Sequence, residues 1–164
     1  MIIINSGAQP QKSRIVTDVT LFAYNDVLQL VKAAVRTGGK VDFSGRNLSG
    51  ANLILTNLTH ADLTQANLTG AFLSGANLSF TNFKRANLSE ANLVRANLSM
   101  ASLRYAYLGG ADLFRANLVM ADLRNADLTE ASLDEADLHA ARYNYATKWP
   151  EDFDLGRSHA ICID

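Results

Sequence analysis

The sequence predicts an all-β solenoid, in which the chain winds into a four-sided coil and stacks about five coils along one axis. Two observations support this fold class. A five-residue phrase repeats 21 times without insertion from Val41 to Tyr145. A period of five fits neither an α-helix nor a straight β-strand, so the chain must change direction within each repeat.

The phrase is clearest in residues 86–100, which read ANLSEANLVRANLSM. Each unit has a central Leu, an Ala two residues before it, an Asn or Asp directly before it, and two variable residues after it. Aromatic residues replace the central Leu only at Phe43, Phe83 and Tyr143. Residues 41–145 are therefore predicted to form one repeat domain.

The period determines the shape of the coil. On an α-helix, five residues advance by about 500°, so successive leucines would not form one stripe. In a straight strand, leucines five residues apart would alternate between the two faces. If the extended chain turns by about a quarter circle in every unit, all leucines point inward and four units close one coil. One coil then contains twenty residues.

The other recurring residues of the repeat also fit this coil. Ala has the same parity as Leu, so it also points inward, where four sides converge and only a small side chain fits. Thr56 and Thr81 replace it, and Val41 and Arg46 break the rule only in the first two units. Asn and Asp side chains can bond to nearby backbone and stack in ladders. The Asn or Asp pattern departs at Phe72, Ser102, Tyr107, Ser132 and Arg142.

At these residues the chain resembles the pentapeptide-repeat family, whose motif is A(D/N)LXX. The resemblance covers residues 41–145, about two-thirds of the chain. It implies a right-handed quadrilateral β-helix whose coils are joined by backbone hydrogen bonds. With strands stacked at about 4.8 Å, slightly more than five coils make a rod roughly 25 Å long.

Both ends of such a rod need covers, because a terminal coil exposes apolar side chains and unpaired strand edges. Residues 1–40 are predicted as an N-terminal segment and helical cap. Apolar residues recur there at helical spacing from about Asp18, and Gly38 and Gly39 would end the helix. A break at Asn25-Asp26 and a role as a docking element remain alternatives. Residues 2–4, all Ile, suit either an edge strand or a loose terminus.

Residues 146–164 are predicted as a C-terminal capping tail, in which Trp149 and Phe153 lie over the final coil. This tail resembles the closing segment of many cyanobacterial pentapeptide-repeat proteins.

Composition narrows the functional classes. The net charge is −1 and aromatic residues make up 8% of the chain, so no global preference for nucleic acid or membrane is visible. The single cysteine, Cys162, excludes an internal disulfide framework and is compatible with a reducing compartment. Neither a secretory signal nor a transmembrane stretch is present in the sequence. A cytoplasmic protein is expected.

The sequence contains no catalytic constellation. The histidines are His60, His139 and His159. His60 and His139 share a face but lie four coils apart, about 19 Å, which is too far to share a metal ion. Phosphate-loop and nucleophile motifs are missing, and a core filled by Leu and Ala leaves no internal pocket. We expect a protein that is not an enzyme and binds no cofactor or metal.

Function should therefore lie in the outward residues, which stack in columns spaced by twenty. Exposed apolar side chains gather on the third face, centred on Leu53, and the fourth face, centred on Leu58. These candidate partner-binding residues are Phe72, Phe80, Val94, Met100, Phe114 and Met120. They are expected to form one patch across the shared edge, typical of a contact site. Neutral drift, covering by the helix or tail, and a homodimer seam remain alternatives.

A basic column lies on the first face and consists of Lys84, Arg85, Arg104 and Arg124. Because Asp42, Asp62 and Asp122 share this face, the column favours a solvated charge face over a phosphate track, and we expect no direct nucleic-acid binding.

The leading interpretation is a non-enzymatic scaffold, monomeric or homodimeric, that binds a protein partner through the apolar residues. The family resemblance suggests one alternative, a DNA mimic that modulates type II topoisomerase (gyrase). The repeat region has ten acidic and eight basic residues, whereas a mimic needs a strongly negative face. A third possibility is that the basic column binds an anionic partner.

Overall fold

The fold is built from coils of twenty residues. The computed structural model describes residues 27, 29, 31–33 and 40–163. Single-residue parallel bridges join each coil to the next, beginning with Asp42 and Asp62 and continuing to Asp122 and Arg142. Every one of these bridges joins residues twenty apart, so the predicted coil period is confirmed.

Each unit of the inner coils donates three backbone hydrogen bonds to the neighbouring coils. In the unit around Leu88, the Leu88 N–H donates to Tyr107 O at 2.7 Å and the Glu90 N–H donates to Gly109 O at 2.9 Å. The Asn87 N–H donates in the opposite direction, to Ala66 O at 2.9 Å. The same pattern recurs from coil to coil, so these three N–H groups of each inner unit are paired with the neighbouring coils.

The corners are β-turns that begin at each central Leu. The Ala91 N–H donates to Leu88 O at 3.1 Å, and Glu90 between them has a φ of 59°. A positive φ at the third residue of a turn is the type II pattern, which favours Gly or Asn. The fifth residue of every unit from Gly45 to Ala140 has this positive φ, and only five of these twenty residues are glycine.

Leu and Ala fill the core as predicted. Every central residue from Phe43 to Leu138 is buried, with no more than 7% of its surface exposed. The threonines that replace Ala are buried too, and their hydroxyls are satisfied. The Thr81 hydroxyl donates to Leu58 O at 2.8 Å, and the Thr56 hydroxyl donates to Leu53 O. A Thr at this position therefore leaves no buried polar group unpaired.

The Asn and Asp side chains hold the corners. Asn87 Oδ1 accepts the Ser89 N–H at 3.0 Å, and the equivalent bond occurs in most units. Some of these side chains also bond along the stack, as in the 3.3 Å bond from Asn97 Nδ2 to Asn77 Oδ1. The predicted bonds to the backbone are confirmed, whereas the bonds along the stack are single contacts between two coils and do not extend into ladders among the described residues.

At the N-terminal end, the described residues 27, 29 and 31–33 are helical. Val27 and Val31 are buried and belong to the same hydrophobic cluster as the coil core. The rest of the predicted helix and the Ile-rich terminus lie outside the described residues, so the helical cap stays a prediction.

The C-terminal end continues the coil before leaving it. Strand β1, Arg142–Tyr143, pairs in parallel with strand β2, Ile161–Cys162. Lys148 bridges Asp127, which is a separation of twenty-one residues, so one extra residue enters the chain after β1. A short 3₁₀ helix, Leu155–Arg157, lies between the two strands. Within the described part of the chain, no helix has the length and hydropathy that a membrane span requires.

Aromatic residues of the tail cover the last coil. The Trp149 and Phe153 rings stack with centroids 5.1 Å apart, and both pack against the core cluster. Tyr143 meets Trp149 edge to face at 5.6 Å. The tail thus supplies the apolar cover that the exposed leucines of a terminal coil require.

Candidate functional site

The outward side chains lie in two kinds of column. The residue before each Leu is in the middle of a flat face, where the bridges form. The two residues after each Leu are the central residues of a corner turn, so their columns run along the edges of the rod. We call the edge after the third face the third edge (residues 54–55, 74–75, 94–95 and 114–115). The edge after the fourth face is the fourth edge (residues 59–60, 79–80, 99–100 and 119–120).

The fourth edge carries the most regular apolar column. Phe80, Met100 and Met120 are 49%, 47% and 48% exposed, and they stack one coil above another. The His60 ring extends the column by stacking on Phe80 with centroids 4.8 Å apart. All of these residues have a positive φ.

The remaining apolar candidates lie on the third face and third edge. Phe72 is 49% exposed in the middle of the face, where most other units carry Asn or Asp. Val94 and Phe114 are partly buried on the third edge. The Arg115 guanidinium lies 4.9 Å from the centre of the Phe114 ring, and its Nε donates to Glu135 at 2.7 Å. Phe114 is therefore covered on one side by an ion pair.

The apolar residues do not form the single patch that the sequence suggested. The fourth face separates the third edge from the fourth edge, and its middle is a column of amides. That column consists of Asn57, Asn77, Asn97 and Asn117. The structure thus places the six candidates along two opposite edges of one face and on the face beside it.

Leu55, an apolar residue on the third edge, was not among the six candidate residues. Leu55 is 78% exposed and leans over the next coil, where a Cβ added to Gly75 would lie 2.8 Å from Leu55 Cδ2. The small residue in the coil above is what gives Leu55 its room.

Two of the four residues of the basic column, Arg85 and Arg104, contact one tyrosine, Tyr105. Lys84 and Arg85 are exposed. The guanidinium carbons of Arg85 and Arg104 are each 5.7 Å from the Tyr105 ring centre, which is a cation–π distance. Among the residues the structure describes, Arg104 Nε is buried without a hydrogen-bond partner.

Arg124, the fourth member of this column, is neutralised by a carboxylate. Asp122 is 6% exposed, and burial by itself would raise its pKa. Hydrogen bonds from Arg124 and the charges of Arg124 and Arg142 outweigh burial, so the pKa of Asp122 is lowered. The Arg124 guanidinium is already occupied and is the poorest of the four for holding an anion.

A cleft of about 860 Å³ lies between the last full coil and the tail, and the sequence analysis did not find it. One wall is residues 129–135, and the other is residues 150–154 with Arg157. Six carboxylates line it. They belong to Glu130, Asp134, Glu135, Glu151, Asp152 and Asp154. The crowding of acidic residues in these two segments was the available signal, but only the path of the tail brings the segments together.

Side chains that could ligate a metal ion are not clustered in the described part of the chain. There, no group of three or more His, Cys, Asp or Glu side chains is arranged to hold a metal ion. The tail brings His159 beside His139, with ring centroids 6.0 Å apart, whereas His60 stacks on Phe80. Cys162 is exposed and free.

Comparison with solved structures returns other proteins with this repeat. A pentapeptide repeat protein from Nostoc PCC 7120 is 32% identical, with 84% of this chain and 95% of that chain covered and a TM-score of 0.49. One from the Arabidopsis thaliana thylakoid lumen is 30% identical, with 63% and 66% covered and a TM-score of 0.46. One from Cyanothece 51142 is 30% identical, with 75% and 99% covered and a TM-score of 0.45. No curated protein matches the sequence significantly.

The repeat itself decides the classification. The family model described as pentapeptide repeats matches in eight copies, over residues 40–75, 73–110 and 106–142. These matches cover more than half of the chain, and the family's fold is the right-handed quadrilateral β-helix, with the four-sided coil described above. The chain therefore belongs to the pentapeptide repeat family.

Proposed function

We propose that this protein is a non-enzymatic scaffold that binds a protein partner through apolar side chains on two edges and one face of the rod. The contact residues are Phe72, Phe80, Val94, Met100, Phe114 and Met120. The observation that carries the proposal is the exposed column of Phe80, Met100 and Met120 on the fourth edge.

The backbone conformation of these three residues indicates that the column does not serve the stability of the fold. Phe80, Met100 and Met120 have φ values of 58°, 58° and 59°. A non-glycine residue in this region costs about 1–3 kcal/mol, and Gly or Asn would fit the turn better. Since about half of each side chain remains exposed, burial offsets only part of that cost. A column of large apolar residues at three successive coils is better explained by a contact outside the chain.

The arrangement also suggests how a partner would bind. Met and Phe side chains adapt their shape to a partner surface, and the amides between the two edges offer hydrogen bonds. From Phe80 to Met120 the column spans two coil spacings, about 10 Å. A partner that contacts both edges would lie across the fourth face. Val94 and Phe114 would be on one side of it, and the column of Phe80, Met100 and Met120 on the other.

The test is affinity capture from native lysate followed by mass spectrometry, with M100D/F114D compared against wild type. The matched control is Q65D/S89D, which adds two carboxylates at the same repeat positions on other edges. We expect M100D/F114D to lose specifically captured proteins that the control retains. Unchanged capture by M100D/F114D, with its thermal transition intact, would remove this surface from the proposal.

The gyrase alternative fits the charge distribution less well. Asp122 shares its face with Arg124 and Arg142, and the densest carboxylates lie at the C-terminal end of the rod. A DNA mimic needs negative charge along a face, as duplex DNA has. Inhibition or protection of gyrase supercoiling at a low excess of this protein would nevertheless reverse the ranking.

A further inference from the structure

We propose that the C-terminal end of the coil stack binds an extended basic peptide, which adds as one more strand to the third face of the last full coil. This site lies at the end of the rod and does not depend on the exposed column of Phe80, Met100 and Met120. It combines an open strand edge, a cleft of sufficient size and an excess of negative charge.

The strand edge is defined by comparison with the coil below. There, the Leu113 N–H donates to Ser132 O at 2.8 Å, the Arg115 N–H donates to Asp134 O at 3.0 Å, and Ala111 O accepts the Ser132 N–H at 2.9 Å. One coil further on, the equivalent groups are Leu133 N–H, Glu135 N–H and Ala131 O. Within residues 40–163, these three groups have no backbone partner.

The path of the tail explains why the edge is open. The chain covers the first and second faces of the last coil, where Arg142 bridges Asp122 and Lys148 bridges Asp127. After Pro150 its described residues make no backbone hydrogen bond to the third face. The chain returns to the stack at His159, whose carbonyl accepts the Ala140 N–H at 3.0 Å, and at β2, over β1. The cleft of about 860 Å³ takes the place of the missing strand. This volume lies within the range of about 300–1,000 Å³ that is usual for ligand clefts.

Charge determines which peptide fits. Among the six carboxylates of the cleft, Glu135 pairs with Arg115 at 2.7 Å and Asp154 pairs with Arg157 at 3.1 Å. The other four make no ion pair with any described residue. They are Glu130, Asp134, Glu151 and Asp152. An acidic or neutral strand would leave this repulsion in place, whereas Lys or Arg side chains would relieve it.

The strand geometry sets the spacing of the basic residues. Alternate side chains of an added strand point to the same side. Leu133 and Phe153 supply an apolar inner wall, and the carboxylates stand at the rim. The best ligand therefore alternates basic and aliphatic residues, and backbone hydrogen bonds would hold it in parallel with the third face.

The probe is a fluorescein-labelled peptide, Lys-Val-Lys-Val-Lys-Val-Lys, measured by fluorescence anisotropy with the full chain. Two comparison peptides separate the contributions. One replaces every Lys with Glu, and the other is N-methylated on alternate residues, so that it keeps its charge but loses backbone donors. We expect at least tenfold weaker binding for the Glu peptide and at least fivefold weaker binding for the N-methylated peptide.

Protein variants locate the site. D134N/E151Q/D152N should weaken binding at least fivefold, whereas E90Q, which removes an exposed carboxylate two coils away, should not change it. M100D, on the fourth edge, should bind the peptide like wild type, so this inference can fail independently of the proposed function.

Three results would overturn the inference. Equal affinity for the N-methylated peptide would reduce the interaction to charge attraction without strand addition. Unchanged binding by D134N/E151Q/D152N would place the peptide elsewhere. Sedimentation showing that wild type is a dimer, and that the triple variant is monomeric, would assign the edge to a second copy of the chain.

Discussion

Arg124 holds the Asp122 carboxylate with two parallel hydrogen bonds, from Nε to Oδ1 at 2.9 Å and from Nη2 to Oδ2 at 2.6 Å. The Arg142 guanidinium approaches the same carboxylate from the next coil at 3.5 Å. Two adjacent coils are therefore joined through one nearly buried carboxylate. Charge-assisted bidentate pairs of this kind are stronger than exposed ion pairs.

This relationship predicts a pH dependence. Because the pKa of Asp122 in the folded protein is lowered from its ordinary value of 3.8, the stabilisation is complete above that value and is lost as the pH falls below it. As the pH is lowered below about 4, the melting temperature of wild type should fall, and that of D122N should fall less. Circular dichroism melts across this range measure both slopes.

The control for this experiment is D112N, whose carboxylate makes no ion pair among the described residues and whose amide would keep the bond to the Phe114 N–H. It should follow the wild-type slope. If D122N also followed the wild-type slope, the Asp122 pair would not contribute to the acid sensitivity.

Substitutions in the core should unfold the whole rod. Leu88 and Ala91 are fully buried in the third coil. Leu88→Arg buries an unpaired charge, which should cost at least about 4 kcal/mol. Ala91→Phe overfills the inner corner, which should cost about 3 kcal/mol or more. We expect loss of the cooperative thermal transition, measured by calorimetry.

The matched control is Ser89→Arg, one residue outward from Leu88, which should melt within a few degrees of wild type. A cooperative and near-normal melt for Leu88→Arg or Ala91→Phe would contradict the inward assignment.

The positive φ at the fifth position predicts opposite effects on stability for two substitutions of Glu90. Glu90 is exposed with a φ of 59°. Glu90→Gly removes the backbone cost of about 1 kcal/mol, whereas Glu90→Val adds a β-branched side chain to a region it avoids. The melting temperature should therefore rise by about 2–4 °C for Glu90→Gly and fall for Glu90→Val. Ser89→Val, at a position without positive φ, should have little effect.

Phe72 is expected to lower the stability of the fold and to strengthen binding of the partner. Its unit lacks the acceptor that Asn92 provides in the next coil, where Asn92 Oδ1 accepts the Val94 N–H at 3.2 Å. Phe72→Asn would give the Ser74 N–H the same acceptor, which is worth about 0.5–1.5 kcal/mol. We expect a higher melting temperature together with weaker partner capture. Weaker capture with a lower melting temperature would indicate that Phe72 serves the fold.

The sequence was sufficient for the repeating part of the fold because one phrase carries the whole geometry. The parity of Ala and Leu predicted the core, and the spacing of twenty predicted which outward residues stack. The positive φ at the fifth position escaped prediction, although its signal was present: Val, Ile and Thr never occupy that position, whereas the fourth position accepts Ile54, Val94 and Val119.

The tail could not be predicted in the same way, because no repeat sets its register. One extra residue before Lys148 shifts the bridge to Asp127, and the chain then crosses the coil end without a repeating pattern. The acidic cleft and the open strand edge both follow from that crossing. The separation of the apolar residues along two edges was missed for a different reason, since it depends on where within each unit the corner lies.

The positive φ of the corner residues limits which substitutions the surface of the rod can accept during evolution. Each unit has nearly the same residues at its inner positions, whereas its fifth position holds glycine and many other side chains but no β-branched residue. New surface chemistry can therefore arise by single substitutions along an edge without altering the winding of the chain. A lineage could exchange one partner for another while keeping an identical scaffold, and related sequences would then diverge in specificity far faster than in shape.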